Sequence, residues 1–307
     1  MAKYKVVVLL ASFNGLAWLP SQLKSILNQL EIEVSIFISD DFSQDASLAY
    51  LQKYALHEPN VHLLPQITKF GGAGKNFYRL IRDVDISAYD YVAYADQDDV
   101  WEPDKLISHI RLLNKHAVEG VSSNVLAFWP SGKKKLIHKS QPQRELDYLF
   151  ESAGPGCTFL MTPWLINTIK GLLNDTHSIA YEVSLHDWLT YAVCRASGRK
   201  WLIDSRPSVQ YRQHSYNVLG ANSGAKAKLA RINKMADGWY RGEVLKVAQV
   251  CSSISYHPEK KYLNRLLICL SQSGIKSRFG LLSFVSEARR RLFDRLFLAA
   301  GILIGFF

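Results

Sequence analysis

An apolar, β-prone run in this sequence stops abruptly at a cluster of carboxylates. Residues 91–95 lead directly into Asp96, Asp98 and Asp99. Adjacent like charges repel, so a strand end should not collect them unless a cation binds there. Oxygen ligands at the carboxyl end of a strand suit Mg²⁺ or Mn²⁺, which commonly hold a diphosphate. The alternative is an acidic loop before a helix, since Pro103 suits a first helical turn.

A second apolar run ends in the same way. Residues 34–38 are followed closely by Asp40 and Asp41. If both runs are strands of a parallel sheet, these aspartates lie at the same sheet edge as Asp96. An aspartate beside a nucleotide can accept a hydrogen bond from a pyrimidine N–H or a ribose hydroxyl. Asp45, which follows, could simply cap the next helix.

The first part of the chain alternates between strand and helix patterns. Residues 4–11 are apolar after their start, as in a strand covered on both faces, and end in a small polar turn at 12–15. Leucine and isoleucine then recur at helical spacing over 16–30. Further strands are indicated at 61–64 and 91–95. This alternation predicts an α/β fold with a parallel, doubly wound sheet.

With these motifs in order, the sequence resembles the inverting glycosyltransferases of family 2, which have the GT-A fold. The Asp-Gln-Asp-Asp-x-Trp form is similar to the rhamnosyltransferase-like members. The departures are Phe13, where tyrosine is more usual, and Phe42, where glycine is common. Five segments carry the resemblance: 11–15, 39–45, 96–101, 211–214 and 217–221.

The resemblance implies a mainly parallel, nucleotide-binding sheet flanked by helices. The GT-A catalytic domain is expected over 1–222, with a donor half at about 1–101 and an acceptor half at about 102–222. From residue 223 to 307 the pattern changes to helices without catalytic motifs, which predicts a helical C-terminal region.

The resemblance also implies how a donor nucleotide and its metal are held. Asp40 and Asp41 would contact the base and ribose. Asp96 would lie near the ribose or metal, and Asp98 would ligate the Mg²⁺ or Mn²⁺ that bridges the diphosphate. His214 is a candidate second ligand of metal or phosphate, or else an ordinary loop histidine. Further donor-binding candidates are Ala11, Ser12, Asn14, Lys75, Asn76, Gln97 and Arg212.

Three of these candidates need qualification by their local pattern. The glycine-rich segment at 71–74 is not a phosphate-binding P-loop, because Lys69 and Asn76 stand where that motif needs glycine and Ser or Thr. Lys75 and its neighbour are therefore donor candidates by resemblance only. Arg212 either pairs with phosphate through its fork of donors or is a solvated strand residue.

An inverting transferase needs a general base for the acceptor hydroxyl. Asp187 is the best candidate, because its apolar neighbours predict a partly buried helix start where desolvation raises a carboxylate pKa. The resemblance places a catalytic aspartate in a similar context. The alternative is an aspartate that only stabilises the helix dipole. Gly156, Cys157 and Trp188 are acceptor-side candidates; a tight loop and a core tryptophan are the alternatives.

The net charge of +10 requires a partner. Nucleic acid is not expected, since no nucleic-acid module is present and acidic strand ends would repel a phosphate backbone. The arginine-rich stretch 289–295 precedes an uncharged run, 296–307, that is too short to span a bilayer. It predicts an interfacial helix on the cytoplasmic face of the inner membrane. A helix docked on the protein, or on a second subunit as a homodimer, is the alternative.

The four cysteines lack metal-binding spacing, and no signal peptide is visible, as expected for a cytoplasmic enzyme. The resulting prediction is a metal-dependent inverting glycosyltransferase of O-antigen or capsule assembly. Its donor would be a dTDP- or UDP-sugar, first dTDP-L-rhamnose, and its acceptor a saccharide or lipid-linked saccharide. The alternatives are a nucleotidyltransferase, whose basic glycine-rich loop residues 12–15 lack, and a non-catalytic sugar-nucleotide-binding protein.

Overall fold

The computed structural model describes residues 4–214, 237–255 and 260–307. The strands in these ranges are β1 (Tyr4–Ser12), β2 (Ile32–Asp40), β3 (Val61–Leu63), β4 (Tyr91–Asp96), β5 (Val100–Trp101), β6 (Gly120–Phe128), β7 (Lys134–Ile137), β8 (Leu160–Met161) and β9 (Trp201–Arg212). The helices of the catalytic part are α1 (Leu19–Leu27), α2 (Ser47–His57), α3 (Ala73–Asp83), α4 (Lys105–His116), α5 (Pro163–Leu173) and α6 (His186–Ala196). The remaining helices are α7 (Trp239–Ile254), α8 (Lys260–Ser271), α9 (Ile275–Leu282), α10 (Val285–Ala288) and α11 (Leu292–Ile304).

The strands form one mixed sheet in the order β3-β2-β1-β4-β8-β6-β9-β5, and β7 pairs with the outside of β6. The first four strands of this order are parallel, as the alternation of the sequence predicts. β8 then runs antiparallel between β4 and β6, and β5 runs antiparallel to β9. The predicted α/β class is therefore confirmed, with a first half of the sheet that is parallel and a second half that is mixed.

Both faces of the sheet are covered, which explains the unbroken apolar run of β1. Val7 and Leu9 belong to one hydrophobic cluster, whereas Val6 and Val8 belong to another. Successive strand side chains point to opposite faces, so a strand that is buried on both faces must be apolar at every position.

The C-terminal helices share the core of the catalytic part. Val244 and Val247 of α7, Leu263 of α8 and the terminal Phe307 lie in the same hydrophobic cluster as Leu189 of α6. The region after the catalytic strands is helical where the structure describes it, as predicted. The predicted boundary at 222–223 and the motif at 217–221 lie outside the described residues.

Candidate active site

The parallel register brings the predicted donor residues to one edge of the sheet. Ser12 is the strand partner of Asp40, and Ala11 is the partner of Asp96. All four residues lie at the carboxyl ends of their strands. This is the edge at which ligands of open α/β sheets bind.

Two predicted donor residues tie the loops at this edge to one another. Asn14 has a positive φ of 51°, and its side-chain oxygen accepts a 2.7 Å hydrogen bond from the Gln44 amide. Its own amide donates to the Ser43 hydroxyl at 2.8 Å. Gln97 forms a two-way clamp with the backbone of Phe13, with both bonds 2.8 Å long. Asn14 and Gln97 therefore hold the loops after β1, β2 and β4 together at this edge.

Asp40 is buried and accepts hydrogen bonds from the Ser43 amide at 2.9 Å and from the Gln66 amide group at 2.8 Å. The turn around it depends on Phe42, which has a φ of 59°. This left-handed conformation suits glycine, because a side chain there is strained. A glycine, which the resemblance implied at this position, would adopt the conformation without strain.

Asp41 holds the glycine-rich segment against the donor edge. It accepts the amide hydrogens of Phe70, at 2.5 Å, and Gly71, at 2.8 Å. Asn76, at the start of α3, donates to the Ser39 carbonyl at 2.9 Å, whereas Lys75 is exposed and lies over the ring of Tyr181. Asn76 therefore orders the start of α3, and the donor contacts of both residues stay predictions.

The two predicted metal ligands meet although they are 116 positions apart in the sequence. Asp98 Oδ2 and His214 Nε2 are 2.7 Å apart, and the ring of Trp18 stacks on the histidine at 4.0 Å. Arg212 joins β9 to the acidic loop: its Nε donates to the Asp98 carbonyl at 2.8 Å, and its amide donates to Asp99 at 3.1 Å. Arg212 is therefore anchored to the acidic loop and is not simply a solvated strand residue, and its contact with a phosphate stays a prediction.

The residues at this edge fit a divalent cation. A carboxylate and an imidazole form a donor set that Mn²⁺ accepts, and Mg²⁺ favours the carboxylate oxygens. Burial, together with the charges of Asp98 and Asp187, raises the pKa of Asp96. Carboxylates are thus concentrated at this edge, and a bound cation would offset their mutual repulsion.

A second group of ligand atoms lies deeper. Atoms of Asp96, Asp99 and Cys157 fall within 4.8 Å of one another. Burial and the neighbouring carboxylates raise the pKa of the Cys157 thiol well above its ordinary range, so the thiol stays protonated and donates to Asp99. Cys157 has no exposed surface, which corrects its prediction as an acceptor-contacting residue.

Lys105 is a residue that the sequence analysis missed. It is fully buried at the start of α4, with Nζ 3.6 Å from the centre of the Trp101 ring. Burial lowers its pKa to about 7, while the charge of Asp99 favours its charged form. Only its place on the apolar face of the helix pattern, in line with the buried His109, signals this in the sequence.

Asp187 lies in the first turn of α6 and is only 8% exposed. Burial raises its pKa to about 6, although the Trp188 amide, which donates to Oδ1 at 2.7 Å, and Ser152 both favour the ionised form. Gly156 approaches it closely: a Cβ there would lie 3.2 Å from the Asp187 Cβ and 2.7 Å from His186 Nε2. A side chain at this turn would displace the helix start.

Trp188 packs in the core and does not face the acceptor side. It is 3% exposed, and its indole N–H donates to the Tyr148 carbonyl at 2.9 Å. Its ring lies against Tyr240 of α7, with the centroids 6.0 Å apart. These contacts correct the prediction that it binds an acceptor sugar, because no ring face is left for stacking.

Comparison with known proteins identifies the family of this chain. The profile of glycosyl transferase family 2 matches residues 7–170. A dTDP-rhamnosyl transferase, RfbG of Shigella flexneri, is 42% identical over 266 residues, which are 85% of this chain and 92% of that protein. The chain belongs to glycosyl transferase family 2. The predicted enzyme class is confirmed.

Solved structures show the same fold for this family 2 glycosyltransferase at low sequence identity. Residues 1–349 of Staphylococcus aureus TarS, in complex with UDP-GlcNAc, match with a TM-score of 0.59 and 14% identity over 92% of this chain and 81% of that one. The mannosyltransferase PcManGT of Pyrobaculum calidifontis, in complex with GDP-Man and Mn²⁺, matches with a TM-score of 0.54 and 16% identity over 100% of this chain and 81% of that one. The GT-A fold prediction is confirmed.

The family profile covers only part of the candidate site. It includes Asp40 and Asp98 but ends before Asp187 and His214. The roles of the last two therefore depend on the geometry described above. The shared profile accounts for the strand-edge motifs of the donor half, which are also the motifs most visible in the sequence.

Proposed function

We propose that this glycosyltransferase transfers L-rhamnose from dTDP-L-rhamnose to a saccharide or lipid-linked saccharide during O-antigen or capsule assembly. The donor assignment is supported by the 42% identity to a dTDP-rhamnosyl transferase. The observation that carries the reaction type is the buried Asp187, whose charge interacts with Asp96 at the donor edge. Family membership removes the nucleotidyltransferase alternative, and turnover that depends on Asp187 would remove the non-catalytic one.

The chemistry proposed for the site is a single displacement. The acceptor hydroxyl attacks the anomeric carbon as Asp187 takes its proton, and the bond from that carbon to the diphosphate oxygen breaks, which inverts the anomeric centre. Asp98 and His214 would hold Mg²⁺ or Mn²⁺, which when bound neutralises charge on the leaving diphosphate. Asp40, Asp41 and the loops they order would hold the nucleoside.

A binding panel tests the donor assignment. Thermal unfolding is measured with dTDP, UDP, GDP and dTDP-L-rhamnose, each with and without Mn²⁺. We expect the dTDP compounds to raise the melting temperature only with the metal, because the ion would neutralise the charge of the bound diphosphate. A ligand at about 100 times its Kd stabilises the folded state by about 2.7 kcal/mol, so the shift should be readily measurable. A shift with UDP alone would reassign the nucleotide. No shift with any compound would refute the donor site.

The C-terminal helices expose an apolar surface, which we call the apolar face. No helix among the described residues has the length and apolarity to cross a bilayer. The exposed side chains of the apolar face are Ile275, Phe279, Leu292, Phe293, Leu296, Leu303, Ile304 and Phe306. α9 and the end of α11 are adjacent, since Arg278 donates to the Leu303 carbonyl at 3.1 Å.

We propose that the apolar face rests on the cytoplasmic face of an anionic membrane, with the enzyme as a peripheral protein. The exposed Lys276 lies on α9 and the exposed Arg291 directly precedes α11, and both would contact acidic headgroups. Arg289 and Arg290 do not contribute, although the sequence analysis counted them in the interfacial helix. Arg290 is only 5% exposed, and both arginines pair with Glu151.

Substitutions on the apolar face test membrane binding. Phe293→Glu and Leu296→Glu should abolish co-sedimentation with phosphatidylglycerol vesicles, because each places a charge in the apolar contact. Truncation is a poorer test, since it also removes Phe307, which packs on Tyr240. The control is Leu56→Glu on α2, which is 83% exposed and outside this region.

Two results would contradict the membrane proposal. One is vesicle binding by Phe293→Glu and Leu296→Glu that equals that of the unsubstituted enzyme. The other is a concentration-dependent dimer in light scattering that both substitutions dissociate, which would make the apolar face a contact between two copies.

A further inference from the structure

The backbone that leads into the catalytic helix is held by a buried carboxylate of α7. Glu243 is 1% exposed, and its two oxygens accept hydrogen bonds from the Ser184 amide at 2.8 Å and the Ser184 hydroxyl at 2.9 Å. Lys246 neutralises it, with Nζ 2.7 Å from Oε1. Ser184 precedes Asp187 by three residues, so α7 sets where α6 begins.

The same serine is confined from the opposite side by α3. A Cβ on Gly74 would lie 2.2 Å from the Ser184 carbonyl oxygen, so the two backbones are in direct contact. Ser184 is therefore fixed between a carboxylate of the C-terminal region and the helix that begins beside Lys75. A shift of α7 cannot be absorbed by this segment without moving the start of α6.

A second hold comes from Arg290, just before α11. Its guanidinium donates to Asp147 at 3.1 Å and to the Ser152 carbonyl at 2.5 Å, and its amide donates to Glu151 at 2.6 Å. The Ser152 hydroxyl donates to the Gly154 carbonyl at 3.0 Å, and its nearness to Asp187 favours the ionised form of that carboxylate and so lowers its pKa. Arg290 thus fixes the residue that faces the catalytic carboxylate.

Stability alone is a poor explanation for these buried charges. Removing ions from water costs several kcal/mol each, and replacing a buried ion pair by apolar side chains of similar volume is often neutral or stabilising. A buried network in which each charge has fixed partners does restrict the backbone to one arrangement. Glu243 pairs with Ser184, which precedes Asp187 in the sequence. Arg290 pairs with segment 147–152, which lies beside Asp187 in the fold.

We propose that Glu243 and Arg290 are positioning residues for sugar transfer, acting through Ser184 and Ser152 to set where the Asp187 carboxylate lies. This inference rests on the proposed function, in which Asp187 is the base. Neither residue touches the substrate. The C-terminal helices then help to position the catalytic carboxylate. Their charged residues must keep their hydrogen-bond partners in segments 147–152 and 184–187.

The first test separates turnover from donor binding. Arg290→Met and Glu243→Gln are assayed for dTDP release from dTDP-L-rhamnose with a lipid-linked saccharide acceptor. We expect kcat to fall about 10-fold or more, because a displacement of about 1 Å can cost about 100-fold. KM for the donor and the Mn²⁺-dependent thermal shift with dTDP should stay within about twofold of the unsubstituted enzyme.

Two controls define what the loss means. Arg290→Lys should restore part of kcat, because it keeps the charge but not the fork of donors. Arg111→Met, which changes an exposed arginine of α4 that pairs with Glu31, should leave kcat unchanged. An equal loss in turnover and in dTDP binding would overturn the proposal, since it would indicate a general structural role. Normal kcat in both Arg290→Met and Glu243→Gln would also overturn it.

A double-variant cycle tests whether Arg290 acts through Asp187. In an Asp187→Asn background, Arg290→Met should cause no further loss of kcat, because residues that act as a unit are not additive. A full additional loss would refute action through Asp187. Normal turnover of Asp187→Asn alone would refute the base assignment itself, so failure of the proposed function and failure of the positioning role are distinguished.

Discussion

Asp187→Asn is expected to lower kcat by about 100-fold or more while leaving donor binding intact, because it removes the general base but keeps the shape of the side chain. The side-chain oxygen of the asparagine can still accept the hydrogen bond that the backbone N–H of Trp188 donates to Asp187 Oδ1. Turnover is measured as dTDP release, and donor binding as the Mn²⁺-dependent thermal shift with dTDP. Normal turnover would eliminate Asp187 as the base.

The pH dependence of kcat gives this prediction a second readout. The base works only when ionised, and burial raises the pKa of Asp187 to about 6. In the unsubstituted enzyme kcat should therefore rise with pH through this range and level off above it, and a bound cation would move the rise to lower pH. The rise should disappear in Asp187→Asn and persist in Asp175→Asn, which changes an exposed loop aspartate.

Asp98→Asn is expected to remove the Mn²⁺-dependent thermal shift with dTDP and to lower kcat/KM by about 100-fold or more, since a metal at the leaving group supplies several kcal/mol. The amide oxygen is a weaker ligand than the carboxylate it replaces. Isothermal calorimetry with Mn²⁺ and dTDP measures the loss directly. A metal-dependent shift of normal size would exclude Asp98 as a ligand.

Two further variants test whether the loss of metal binding is specific to the Asp98–His214 pair. His214→Ala should weaken the same Mn²⁺-dependent binding, because His214 Nε2 lies 2.7 Å from Asp98 Oδ2. Asp104→Asn, which changes an exposed aspartate paired with Arg206, should leave it unchanged. Asp98→Asn and Asp187→Asn are thus expected to separate metal binding from proton transfer.

Burial accounts for the corrections to the sequence analysis. Trp188 and Cys157 are residue types that can contact a sugar or a ligand, yet both are enclosed. Arg290 belongs to an arginine-rich stretch that is typical of an interfacial helix, yet it is paired with Asp147 inside the protein. A local pattern shows what a side chain can do, whereas its neighbours come from distant segments and decide what it is free to do.

The sequence by itself determined the α/β class and the carboxylates Asp40 and Asp98 that follow its strands, and it made Asp187 a candidate base through its apolar neighbours and the resemblance. These depend on local properties: apolar runs form covered strands, and a run that stops at carboxylates marks a strand end. Only the tertiary structure decided that His214 lies against Asp98 and that Glu243 holds the segment before Asp187. Such contacts join positions separated by many tens of residues, and no local periodicity encodes them, because they arise when separate elements pack into one core.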